Sequence, residues 1–177
     1  MRDKIGGKND FYLEHNPTHG FFADLVEAAW DKLGGHSNQS IRLADLLQRL
    51  DPKSSRLYLH SQGALIGLSA LDVLHDRGVR MDGLQVNFFG SAANEISARI
   101  IMGRVGANLG QWQANAFDPV AQLVGMNAIT GLAPQRVVTA LVGSFFIWGS
   151  DTSARSPHTL QSGGWFGSIG QPWYHFP

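Results

Sequence analysis

Residues 56–78, RLYLHSQGALIGLSALDVLHDRG, restrict the fold more than any other part of the chain. RLYLH reads as a short buried strand, and GALIGLSALDVLHDRG as a helix that is apolar on most sides. Only Ser61-Gln62 separate the two. A strand that turns so abruptly into a covered helix belongs to a layered α/β arrangement. Two readings of Ser61 compete. As a helix cap, its hydroxyl would accept a hydrogen bond from a first-turn N–H. The Glu or Gln that often completes such a cap three residues on is here Ala64, and Gly63 puts a glycine, at about 0.5–1 kcal/mol against alanine, into the first turn. As a nucleophile elbow, Ser61 would instead stand on a strained strand-to-helix turn with its Oγ presented at the C-terminal edge of a sheet. Gly63 is then expected where strand, turn and helix approach most closely. The usual pattern G-x-S-x-G becomes L-H-S-Q-G, so Leu59 must be accommodated where strand and helix normally pack tightest.

The remaining segments extend the same alternation. FYLEH (11–15) predicts a short strand ending at Asn16-Pro17, and from Thr18 the positions Phe22, Val26, Ala29 and Leu33 predict a helix closed by Gly34-Gly35. SIRLADLLQRLDP predicts a second helix with Ile41, Leu43, Leu46, Leu47 and Leu50 inward. LQVNFFGSA is a buried strand, NEISARIIMGRVG a helix beginning at Asn94, and QWQANAF a strand that stops at Asp118-Pro119. The expected fold is therefore α/β: one compact domain spanning 1–177, a mainly parallel sheet with helices on both faces. In such sheets ligands bind beyond the C-terminal ends of the strands, which is where Ser61 and Asp118 fall.

Composition narrows the function. The 14 basic and 14 acidic residues leave no net charge, which speaks against an electrostatic nucleic-acid binder. Charged residues make up only 16% of the chain, so an unusual share of it is expected to be buried or to face something apolar. Without cysteine there is no disulfide framework, thiolate chemistry or cysteine-based zinc site. MRDKIGGKNDF lacks the apolar stretch of a signal peptide, and the apolar run VVTALVGSFFIWG (137–149) is too short for a bilayer that needs roughly 20 residues, so a soluble domain is expected.

A serine nucleophile needs a base, and the base needs a carboxylate to fix its tautomer. Ser61, Asp118 and His158 occur in the chain order of α/β-hydrolase triads. Each has a plainer reading: a cap for Ser61, a turn aspartate before proline for Asp118, a solvated loop histidine for His158. Asp151 and His175 are the alternative acid and base. His60 should point away from the serine, and Asp72 and His75 lie too far along the elbow helix to return to it. His15 and His19 flank Pro17 and precede Gly20, which argues against a helical metal-ligand pair; no metal and no cofactor are expected.

EHNPTHGFFADLVEAAWDKL, LYLHSQGALIG, VNFFGSAAN, AFDPVAQLVG and SPHTL together resemble the lipase-like α/β-hydrolase domains of bacterial secreted effectors and adhesin-type polymorphic toxins, over about residues 11–160. The resemblance implies a hydrolase of an ester, lipid or phospholipid with Ser61, Asp118 and His158 as triad, secreted as part of a larger bacterial protein. Leu59 and the missing H-G-G-G oxyanion motif depart from the pattern. The oxyanion donors expected here are the backbone N–H of Gln62 with that of Asn16 or Thr18, since Pro17 has none. The segment 126–150 fits no further strand-helix repeat; it is expected either as core or as an apolar flap in which Phe146 and Trp148 meet an acyl chain or a membrane surface. Two other functions stay open: a thioesterase or amidase using the same triad, and a catalytically silent module that binds a partner.

Overall fold

A computed structural model describes residues 36–127, 135–148 and 173–175, with 115, 143–148 and 173–175 as backbone only. The strand expected at 11–15 and the helix expected at 18–33 lie outside the described residues. Helix α1 (Asn38–Leu47) is capped by Ser37, whose hydroxyl accepts from the Ser40 N–H at 3.1 Å. It buries Leu43, Ala44 and Leu47, with Leu46 and Leu50 partly covered. Ile41, expected to point inward, is exposed instead: the buried stripe runs through positions 40, 43, 44 and 47, and 41 falls to its side.

Strand β1 (Arg56–His60) leads into helix α2 (Gly63–Asp76), strand β2 (Gln85–Phe89) into helix α3 (Glu95–Val105), and then strand β3 (Asn108–Asn115). Asn94 caps α3 as expected, its side chain accepting from Ile96 and Ser97 N–H, and Gly106 ends the helix with left-handed φ of 79°. β1, β2 and β3 pair in parallel and in chain order, so two βα units lie side by side. A short strand β4 (Trp173–His175) adds antiparallel to β3, with His175 opposite Gln113. The chain is thus of the α/β class.

Helices α1 and α3 both pack against α2, which places α2 and α3 on one face of the sheet. The core lies between them: Leu59, Val86, Phe88 and Trp112 from the strands against Leu68, Leu71, Ala98 and Met102 from the helices. The rings of Phe88 and Trp112 are 4.5 Å apart. On the other face Tyr58 stacks on Phe89, and the Asn87 amide donates to the Leu57 carbonyl at 3.4 Å. Helical cover is therefore described for one face of the two expected. β3 also carries an irregularity: Val86 pairs with Leu109 but Phe88 with Trp112, one residue more on β3 than on β2. The bulge keeps Leu109 and Trp112 on the same face, where a regular strand would turn them to opposite faces.

The bulky Leu59 finds its room at Gly67, one turn into α2. A Cβ there would lie 2.5 Å from Leu59 Cδ1 and 2.6 Å from Cδ2. A Cβ at Gly63, by contrast, would meet no described atom within 4 Å. The close approach expected at Gly63 therefore occurs at Gly67, and the glycine missing from the strand side of the motif has its counterpart on the helix. Gly67→Ala should cost about 1–3 kcal/mol from overpacking. In a Leu59→Ala background the same change should cost far less, because the opposing side chain is gone. Chemical denaturation of the wild type and the three variants checks this; additive effects would mean that the two residues do not share the space.

Candidate functional site

Ser61 follows β1 immediately and has φ of 55°, in the left-handed region that an L-residue enters at about 1–2 kcal/mol. Its backbone is fixed from three directions. The Ser61 N–H donates to the Phe89 carbonyl at 3.3 Å, extending the β1–β2 ladder, and its own carbonyl accepts from Ala64 and Ala92 N–H, each at 3.1 Å. The first contact belongs to the start of α2 and the second to the loop after β2. Strain of this kind persists only where the surroundings over-determine it.

The cap of α2 is Gln62, with no side-chain capping bond. Ser61 precedes that position, and its φ is unlike the extended backbone of a capping serine. The chain thus turns through a left-handed residue between strand and helix. Gln62 is itself buried, at the N-terminal end of a 14-residue helix whose dipole is positive there. His60 ends β1 opposite Phe89 and is half-buried.

Asp118 comes three residues after β3 and is fully buried. Its carboxylate accepts from the Val120 N–H at 2.9 Å, and its carbonyl from the Gln122 N–H at 3.0 Å. The turn-aspartate role is therefore real, yet a surface turn would not bury an ionisable side chain completely. Beyond it, Val120–Val124 form a π-helical turn, a local form often found at functional sites. Helix α4 (Gln135–Trp148) packs on this turn, and the Thr139 hydroxyl donates to the Ala116 carbonyl at 2.7 Å.

The structure thus brings Ser61, Gln62 and Asp118 to one edge, the C-terminal edge of the parallel strands. Asn16, Thr18 and His158 lie outside the described residues, as does the alternative acid Asp151. Phe146 and Trp148 fall on the backbone of α4, so the segment expected as core or flap contains a helix. Its Ala140 is buried while Val138, Leu141 and Val142 are exposed, at 63%, 53% and 45%.

Sequence reasoning passed over the polar residues that tie this edge together. Ser91 is buried, its hydroxyl accepting from the Ala93 N–H at 3.0 Å. Asn127, also buried, accepts from the Glu95 N–H at 3.0 Å and donates to the Ala93 and Ala121 carbonyls at 3.1 and 2.8 Å. The G-x-N spacing of Gly125 and Asn127 was the available signal: a Cβ at Gly125 would lie 2.6 Å from both Asn127 Nδ2 and the Ala121 carbonyl.

No protein-family model matches the chain, and neither does any curated protein or solved structure. The strain at Ser61 has a direct test. Ser61→Gly should stabilise the fold by up to about 1 kcal/mol, because glycine relieves the left-handed penalty and gives back only part of it in unfolded-chain entropy. A serine cap would make the same substitution a small loss. Equilibrium denaturation separates the two by sign.

Proposed function

We propose that this chain is a serine hydrolase of α/β-hydrolase type that cleaves a carboxylic ester of a lipid or phospholipid through an acyl-enzyme on Ser61. The observation that carries the reading is the left-handed Ser61 at the C-terminal end of a parallel strand, directly before a helix. A strained, hydrogen-bond-locked serine at that place is what a nucleophile elbow requires. Buried Asp118, two strands away on the same edge, supports it. Two strand spacings are about 10 Å. A histidine that hydrogen-bonds a hydroxyl on one side and a carboxylate on the other spans about 7–8 Å. That strand spacing leaves room for an imidazole between the two side chains, and by chain order the role falls to His158 in this proposal.

In this mechanism His158 takes the proton of Ser61 Oγ as that oxygen attacks the ester carbonyl carbon. The Gln62 backbone N–H, at the positive end of α2, and a donor from the 15–18 loop, Asn16 or Thr18, hold the oxyanion. The C–O bond to the alcohol breaks, His158 returns the proton to the leaving oxygen, and the acyl group stays on Ser61. His158 then activates a water, which releases the acid and regenerates the hydroxyl. Asp118 holds the imidazole in the right tautomer and stabilises its charged form. The exposed Val138, Leu141 and Val142 on α4, a helix anchored two residues before Asp118, favour an apolar acyl chain over a polar substrate. The same exposed side chains favour a second reading, a silent module that binds an apolar partner there.

Activity on nitrophenyl esters decides between them. Ser61→Ala should abolish turnover with the fold retained in circular dichroism, and Asp118→Asn should lower kcat by about 10³–10⁴-fold. Asp151→Asn should keep most of the activity. Unchanged turnover in Ser61→Ala would remove the nucleophile, and a larger loss from Asp151→Asn would move the acid.

A further inference from the structure

The serine and the acid sit on separate strands, and their relative placement depends on what joins the two turns. Among the described residues, Ser61 and Met126 are the only non-glycine residues with left-handed φ, 55° and 57°. Ser61 is the proposed nucleophile. Met126 is exposed, and its backbone carries the chain from Gly125 to the buried Asn127.

The Asn127 amide is fully engaged. Its Nδ2 donates to two carbonyls, Ala93 at 3.1 Å and Ala121 at 2.8 Å, while Oδ1 accepts from the Glu95 N–H at 3.0 Å. These partners fix its orientation, since the flipped amide would set its oxygen against two carbonyl oxygens. Each partner leads to the site. Ala93 follows Ala92, whose N–H holds the Ser61 carbonyl. Ala121 follows Val120, whose N–H holds the Asp118 carboxylate. A second tie joins the same segments, the Asn94 amide donating to the Gly125 carbonyl at 3.1 Å.

We propose that Asn127 is a positioning residue for the hydrolysis described above: its amide clasps the loop that fixes Ser61 to the turn that fixes Asp118 and so sets the distance across which the histidine must reach. The inference rests on the serine-hydrolase reading. Asn127 touches neither the substrate nor the reacting atoms. A shift of about 1 Å between catalytic groups is enough to lower turnover about a hundredfold while leaving substrate binding in place. Loss of the clasp should therefore appear in kcat and not in KM.

The test uses the full chain and nitrophenyl butyrate, well below the melting temperature of every variant. Asn127→Ala should lower kcat by about tenfold to a hundredfold. KM should stay within about twofold. Leu47→Ala, a core truncation on α1 away from the site, is the stability control: it should lower the melting temperature and keep kcat within about twofold of the wild type. A wild-type kcat in Asn127→Ala, or a loss no greater than that of Leu47→Ala, would overturn the inference and leave the hydrolase reading standing. Absence of wild-type turnover would remove both. If Asn127→Ala does not fold, Asn94→Asp decides. It keeps the helix-capping oxygen but loses the donor to Gly125, and should lower kcat by about threefold or more at unchanged KM; a wild-type kcat there would equally overturn the inference.

Discussion

A serine held at φ 55° between a strand end and a helix start sets the geometry of everything around it. With only Ser61 and Gln62 between β1 and α2, the chain must reverse at once, and α2 must lie close over the strand it has just left. Leu59 would oppose that approach were Gly67 any larger residue. Because α2 is fixed in this way, its two flanks are fixed as well: α1 covers one and α3 the other. The loop after β2 is drawn in too, since the Ala92 N–H completes the coordination of the Ser61 carbonyl.

The interior divides chemically along the strands. Between the strands and the helices it is apolar, with Leu59, Val86, Phe88, Leu71, Leu74 and Met102 in one cluster. At the C-terminal edge it is polar: Gln62, Ser91, Asp118, Gln122 and Asn127 are all buried there. Burying polar groups destabilises a fold unless each is hydrogen-bonded. A fold gains nothing in stability from gathering them at one edge beside two left-handed residues. On the proposed hydrolase reading the arrangement is pre-organisation, in which strain and polar burial hold a small set of groups at fixed separations, and apolar packing elsewhere supplies the stability.

The alternation of short apolar strands with longer helical patterns was legible from β1 to β3, because each period dominates its own segment and breaks sharply at Asn94, Gly106 or Asp118. The left-handed backbone at Ser61 was not legible, since cap and elbow differ in one dihedral angle that the residue types do not dictate. Gly63 drew attention by its place in the motif, whereas the glycine that makes room is Gly67, a contact between elements that local spacing cannot reveal. The bulge in β3 was hidden for a similar reason: Gly110-Gln111 look ordinary until Phe88 is seen opposite Trp112. Asn127 was missed because its three partners lie 6 to 34 residues away and are all backbone groups, invisible to side-chain patterns.

If Ser61 is poised to react as proposed, covalent labelling reads it without knowledge of the substrate. The full chain would be treated with a fluorophosphonate and its peptides mapped by mass spectrometry. The expected result is a single adduct on Ser61, with Ser55, Ser69 and Ser91 unmodified. A chain left unmodified, or an adduct scattered over surface serines, would contradict the assignment of Ser61 as a nucleophile.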